Sequence, residues 1–161
     1  MSLRSVRVAL SLCVFATGAL ASQGAPRLGT RDFTLAGVPL GSDTSVLRRM
    51  LGAPDSVAES DDPSQAGPIP AWWYRDLRVV LLSSAEFHGW WITGKSRPTV
   101  RGLLVGAPDS EVRKRYGSPT STSGDSLLVY CGRRIDTRPP CMYVWISRHR
   151  VDRIYVGNNV D

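Results

Sequence analysis

Apolar residues recur one helical turn apart in two short segments of this 161-residue chain. Because residues three and four apart share one face of a helix, this spacing predicts two amphipathic helices. Ser42 is the predicted N-cap of the first helix and Pro108 the first residue of the second, while Gly52 and Gly117 mark the C-terminal ends. The apolar residues are Val46, Leu47, Met50, Leu51, Val112 and Tyr116.

After each helical segment the apolar pattern changes to that of strands. β-branched and aromatic residues dominate short runs, which favours antiparallel strands joined by turns. The acidic stretch 59–70 contains three prolines and is predicted to be a surface loop. The predicted strands are 72–74, 77–82, 90–93, 127–131, 141–147 and 151–157.

The two halves of the chain share one sequence pattern. Residues 37–56 and 102–121 align without a gap, with three glycines and a proline in register at an offset of 65 residues. Such a period predicts a duplicated unit. Because one helix with three strands cannot bury both its faces alone, we expect an α+β fold of two helix-plus-three-strand antiparallel repeats, with the helices on one face of the sheet or sheets.

The N-terminus has the three parts of an export signal. Arg4 and Arg7 give a basic start, an apolar stretch follows, and Ala19-Leu20-Ala21 forms a small-x-small cleavage motif. Cleavage after Ala21 predicts a periplasmic or secreted protein with no later transmembrane segment. Acylation of Cys13 is the alternative.

These features predict five segments along the chain. They are a signal peptide (1–21), an N-terminal lead-in (22–36), a first repeat (37–94), a linker (95–101) and a second repeat (102–161). The formal net charge is +6, and most of the arginines follow residue 94. A solvated basic surface is the first interpretation of this balance, an acidic partner or an anionic membrane surface is the alternative, and export argues against nucleic acid as a partner.

Removal of the signal peptide leaves two cysteines, Cys131 and Cys141. An even number in an exported chain favours a disulfide over a metal site or a catalytic thiol. The bond would join the ends of a long loop between two strands.

The order of glycine, apolar residues, glycine, capped helix, Gly-x-Pro and strands resembles a known unit. It is similar to the helix-plus-meander unit of the BamE (SmpA/OmlA-like) outer-membrane assembly lipoproteins. The duplicated unit resembles the tandem architecture of the β-lactamase inhibitory protein (BLIP) family. The resemblance covers nearly all of the mature chain and implies disulfides within a unit, a pattern that Cys131 and Cys141 match.

The sequence gives little support for catalysis. His88 near Glu86 and His149 near Asp152 lack the third ligand and the spacing of a zinc site. No GxSxG motif marks a serine nucleophile. We therefore expect a non-enzymatic protein with no metal and no cofactor.

Aromatic residues are the better candidates for function. Consecutive side chains of a strand face opposite sides, so each of the doublets Trp72-Trp73 and Trp90-Trp91 places one indole away from the helices. The alternative is that the loop 59–70 or the linker 95–101 covers that face. Trp, Tyr and Arg are typical of protein-interface hot spots. The candidate binding residues are Trp72, Trp73, Tyr74, Trp90, Trp91, Tyr143, Trp145, Arg133, Arg134 and Arg138.

The expected function is binding of another exported or envelope protein through an aromatic sheet face. Inhibition of a secreted hydrolase is the alternative, with the arginine-bearing loop between Cys131 and Cys141 entering the active site of the target. A small hydrolytic enzyme is a third hypothesis, with less support from the residues.

Overall fold

The computed structural model describes residues 28–60, 69–81, 86–133 and 139–158. A 3-10 helix (Thr30–Phe33) and a hairpin of β1 (Thr34–Leu35) and β2 (Val38–Pro39) precede helix α1 (Thr44–Leu51). Four strands follow: β3 (Ser56–Ser60), β4 (Ile69–Tyr74), β5 (Leu77–Leu81) and β6 (Phe87–Ile92). Helix α2 (Asp109–Tyr116) precedes β7 (Ser121–Ser123), β8 (Leu127–Cys131), β9 (Pro140–Ser147) and β10 (Arg150–Asn158). The predicted signal peptide, 1–21, lies outside the described residues.

Strands β3 to β10 form one antiparallel sheet in the order β3-β4-β5-β6-β10-β9-β8-β7. The central pair, β6 and β10, joins the strands that follow α1 to those that follow α2. The edge strand β7 consists of exposed serine and threonine. Short polar edge strands discourage pairing with other chains.

Both helices pack on the same face of this sheet, which we call the helix face. Leu47 of α1 and Val112 and Tyr116 of α2 are buried in one hydrophobic cluster. Strand side chains that alternate toward this face, such as Ile154 and Val156, complete the cluster. Burial of each large apolar side chain contributes about 1.5–3 kcal/mol, so this layer supplies the main stabilisation.

The helix N-termini lie one residue later than the sequence predicts. The N-cap of α1 is Asp43, not Ser42, and its carboxylate accepts a hydrogen bond from Ser45 N at 2.7 Å. Hydrogen bonds from the side chain and backbone of Ser45 lower the pKa of Asp43. Pro108 is the N-cap of α2, not its first residue. Both helices end, as predicted, at glycines of positive φ, Gly52 and Gly117.

The predicted α+β fold class is wrong. The described part of the chain is predominantly β, with one eight-stranded sheet and two short α-helices, not two helix-plus-three-strand repeats. The strand prediction missed Ser56–Ser60 and Ser121–Ser123 because their polar and small residues carry no apolar period. The pairing of β6 with β10 then merges all these strands into a single sheet. The domain boundaries remain predictions.

The predicted linker 95–101 lies against the helix face. Arg101 binds Asp32 through two bonds, Nε to Oδ1 at 2.6 Å and Nη2 to Oδ2 at 2.7 Å. The guanidinium carbon of Arg97 lies 5.9 Å from the ring of Tyr74, which belongs to the hydrophobic cluster. The described linker therefore leaves the opposite face uncovered. Residues 61–68 of the other candidate covering loop lie outside the described residues.

Candidate functional site

One transverse row of residues crosses the sheet on the face opposite the helices. The pairing register aligns one residue from each of the eight strands in this row. Adjacent strands lie about 4.8 Å apart, so its central part, from Trp73 to Tyr143, spans about 19 Å. In spatial order the row is Ser56, Trp73, Arg78, Trp91, Tyr155, Tyr143, Val129 and Ser121. We call this row, with the paired Trp145 and Arg153 beside it, the aromatic face.

The aromatic rings of this face contact one another. Trp91 stacks on Trp145 with ring centroids 5.1 Å apart and contacts Tyr155 at 4.8 Å. Tyr143 lies 6.1 Å from Trp145 and 5.9 Å from Tyr155. Aromatic pairs at these separations stabilise each other by about 0.5–1.5 kcal/mol beyond burial. The rings therefore form a continuous and mutually supported surface.

Two arginines alternate with the indoles of the aromatic face. The guanidinium carbon of Arg78 lies 5.3 Å from the Trp73 ring and 5.0 Å from the Trp91 ring. That of Arg153 lies 5.7 Å from the Trp91 ring and 5.0 Å from the Trp145 ring. Such cation–π contacts contribute about 0.5–2 kcal/mol each and fix the planes of the guanidinium groups. The result is an alternating series of three indoles and two cations.

The electrostatics of the aromatic face are one-sided. The described strand residues that share this face in the register include no aspartate or glutamate. Asp152, next to the bulge in β10, contacts Arg153 at 4.0 Å. The indole N–H groups of Trp73 and Trp91 are buried without an acceptor in the described part of the chain. The exposed charge on the described part of this face is therefore positive, at Arg153.

A row of small residues runs beside the aromatic row on the same face. Ala71, Val80, Gly89, Gly157 and Cys141 align across the central strands. The side chain of Tyr155 fills the space above the two glycines, since a Cβ built at Gly89 would lie 2.6 Å from its hydroxyl oxygen. These glycines therefore set the orientation of the Tyr155 ring.

The structure separates the predicted binding residues between the two faces. Trp73, Trp91, Tyr143 and Trp145 lie together, half-buried, on the aromatic face. The other candidates on strands β4 and β6 are Trp72, Tyr74 and Trp90, which lie on the helix face. Trp72 packs against the core, Trp90 is 3% exposed, and buried Tyr74 donates a hydrogen bond to the carbonyl of Gly52 at 3.2 Å.

The predicted disulfide is present. Cys131 and Cys141 lie directly opposite each other on β8 and β9, with an S–S distance of 2.06 Å. Arg133 is exposed just beyond β8, whereas Arg134 and Arg138 lie outside the described residues. The hydrolase-inhibitor alternative rests on this loop and remains a prediction of the sequence.

The sequence-based search for binding residues missed Arg78, Arg153 and Tyr155. Arg78 interrupts the apolar run of a central strand, and a charged residue at such a position indicates that one side chain of the run points away from the core. Arg153 and Tyr155 follow the same alternation in β10. Their contacts with the tryptophans depend on strand register, which a single sequence does not specify.

A cleft lies on the helix face. This cleft of about 530 Å³ lies between the lead-in, the linker and the central strands. Its floor consists of core side chains, including Leu77, Trp90 and Val156. Asp32 at its wall is paired with Arg101. The cleft therefore lacks the alternating charge and aromatic surface of the other face.

His149 lies beside a carboxylate on the protein surface. His149 Nδ1 lies 3.4 Å from a carboxylate oxygen of Asp109 at an exposed turn. The described residues contain no group of three His, Cys, Asp or Glu side chains that could hold a metal ion. Within the same ranges, every helix is too short or too polar to cross a membrane.

Comparison with known proteins gives a similarity of fold. No protein-family model and no curated protein matches the chain. The chain is similar to a solved extracellular protein containing an SCP domain from Bacillus anthracis str. Ames, with a TM-score of 0.51 and 13% identity. The match covers 74% of this chain and 44% of that protein, so this chain spans less than half of its length. At this identity the similarity concerns the fold alone.

The expected resemblance to the BamE and BLIP families is wrong. The similar structure is an SCP-domain protein, and the eight-stranded sheet with two helices does not match helix-plus-three-strand units. The sequence pattern behind that expectation consists of helix-end glycines and a proline. These residues report helix boundaries, which recur in unrelated folds.

Proposed function

We propose that this chain is an exported, non-enzymatic protein that binds another envelope or extracellular protein through its aromatic face. The alternating series of Trp73, Arg78, Trp91, Arg153 and Trp145 carries the proposal. Trp, Tyr and Arg are the residues that dominate interface hot spots. Here they are concentrated on one face of a rigid sheet.

The layout of the aromatic face supports a protein partner. Half-buried rings occupy the middle, and serines, Ser56 and Ser121, end the row at both sheet edges. An apolar centre with a polar rim is the usual anatomy of a protein interface. Because the rings support one another, they lose little conformational freedom on binding.

Three observations support export. The first residues have the pattern of a signal peptide. The Cys131–Cys141 disulfide suits an oxidising compartment. The similar structure from Bacillus anthracis belongs to an extracellular protein.

Capture from the native envelope and secreted fractions, followed by calorimetry with the purified partner, tests this function. Trp145→Ala should weaken binding by about 2 kcal/mol, as loss of a hot-spot indole does. Met50→Ala is the matched control, because Met50 is an apolar side chain 59% exposed on helix α1. Unchanged binding by Trp145→Ala, or an equal loss in both variants, would rule out the aromatic face as the binding surface.

A further inference from the structure

Arg153 lies at the most accessible point of the charged series. Its side chain is 51% exposed and lies over the Trp91 and Trp145 rings, which stack on each other. The planar guanidinium group is therefore held against a flat aromatic base, with donors left toward solvent. A fork oriented in this way suits a carboxylate, which can accept two parallel hydrogen bonds.

The carboxylate nearest to Arg153 within the described residues is a weak competitor. Asp152 lies 4.0 Å from Arg153 Nε, beyond hydrogen-bond distance, and its own side chain is 57% exposed. An exposed pair at this separation contributes little. Arg153 can therefore donate hydrogen bonds to a carboxylate of a partner without the loss of a strong internal bond.

The charge around Arg153 favours the same ligand chemistry. The strand residues of this face carry no aspartate or glutamate in the described register. A partner segment rich in carboxylates would complement the positive charge.

We infer that the partner of the aromatic face presents an acidic protein segment, with one of its carboxylates seated on Arg153 between Trp91 and Trp145. This inference rests on the proposed function and specifies the chemistry of the partner. A peptide fits this surface because the central part of the row runs about 19 Å across the sheet. An extended chain of about six residues crosses that distance.

Fluorescence anisotropy with labelled peptides tests the inference. The probe is a peptide of about eight residues that alternates glutamate and threonine, and its neutral counterpart alternates glutamine and threonine. The wild-type protein should bind the glutamate peptide about tenfold more tightly at low salt, and added salt should weaken this binding. Arg153→Gln should remove most of the preference. Asp152→Asn should strengthen binding about twofold to threefold, because it removes the competing carboxylate.

Arg113→Gln is the matched charge control. Arg113 is exposed on helix α2, so this variant loses the same charge on the helix face. Equal losses of the preference for the glutamate peptide in Arg113→Gln and Arg153→Gln would show that net charge alone causes it, and would overturn the inference. Equal affinity for the two peptides, absence of binding, or equally strong competition by polygalacturonate would also overturn it. Arg153 is exposed, and a thermal melt verifies that its variant folds.

The same variants separate this inference from the proposed function. If the captured partner binds the Arg153→Gln variant normally but does not bind the Trp145→Ala variant, the aromatic face remains the interface. The inferred preference for an acidic segment is then wrong. If the partner binds Trp145→Ala normally, the proposed function itself fails.

Discussion

Trp90 and Trp91 are adjacent in the chain but have different physical roles. Trp90 is 3% exposed in the hydrophobic cluster, where its ring lies 5.4 Å from that of Phe87. Trp91 lies on the opposite face among other aromatic rings and two arginines. Strand alternation alone assigns one side chain to stability and the other to the surface.

Substitution of single tryptophans should separate these roles. Trp90→Ala should lower the free energy of unfolding by about 3–5 kcal/mol, because it leaves a cavity in the core. Trp145→Ala should cost less, about 1.5–2 kcal/mol, the sum of two ring contacts and one cation contact at a half-buried position. Urea unfolding measures both. Similar losses for the two variants would show that Trp145 is a core residue.

The sequence predicts the division of each tryptophan doublet but not the neighbours of the indoles. Alternation is a local property, so it follows from the residues themselves. The position of Arg78 between Trp73 and Trp91 depends on two strand pairings. Register is set by long-range packing and turn geometry, which the residues of one strand do not encode.

At the scale of elements, the helix ends were predictable to within one residue. Glycine and proline mark them by backbone geometry, and Asp43 replaces the adjacent Ser42 as the N-cap. The edge strands β3 and β7 were not predictable from an apolar pattern because their described side chains are exposed. Their absence from the strand prediction led to sets of three strands instead of four, and the pairing of β6 with β10 joins both sets in one sheet.

The N-cap of helix α1 is open to a direct test. Asp43→Ala should destabilise the protein, because it removes the acceptor for Ser45 N. Asp43→Asn should cost much less, since the amide oxygen can accept the same bond. Thermal unfolding measures the difference. Equal losses for alanine and asparagine would indicate that the charge of Asp43, not its capping bond, is what matters.

At the scale of the whole molecule, three buried tyrosines limit stability at high pH. Burial raises the pKa of Tyr74, Tyr116 and Tyr130 above the ordinary value of 10.0. The folded protein therefore retains these protons more strongly than the unfolded chain. The resulting stability is complete below about pH 10 and is lost as the pH rises through the folded values.

Alkaline titration checks this linkage. The melting temperature should fall as the pH rises above about 10, together with the appearance of tyrosinate absorbance. Tyr116→Phe should reduce the pH dependence, because it removes the titrating hydroxyl while keeping the ring. A melting temperature that stays constant above that pH would contradict the predicted linkage.

The disulfide should also act on the whole molecule. Cys131 and Cys141 are 10 positions apart in the chain, so their bond restricts the unfolded state. Reduction should lower the free energy of unfolding by about 2–3 kcal/mol. Urea unfolding with and without reductant measures this loss, and a Cys131→Ser/Cys141→Ser variant should show the same loss without reductant. Equal stability of the oxidised and reduced proteins would contradict the expectation.

The position of β10 also determines when this molecule can fold. β10 is the last described strand in the chain, yet it lies in the middle of the sheet between β6 and β9. The contacts of β10 with β6 join residues more than sixty positions apart, and contacts of such high sequence separation form late in folding. The central layer therefore cannot close until residues 150–158 have been synthesised. The core is then completed only by its last described strand, and this late closure fits the export proposed above.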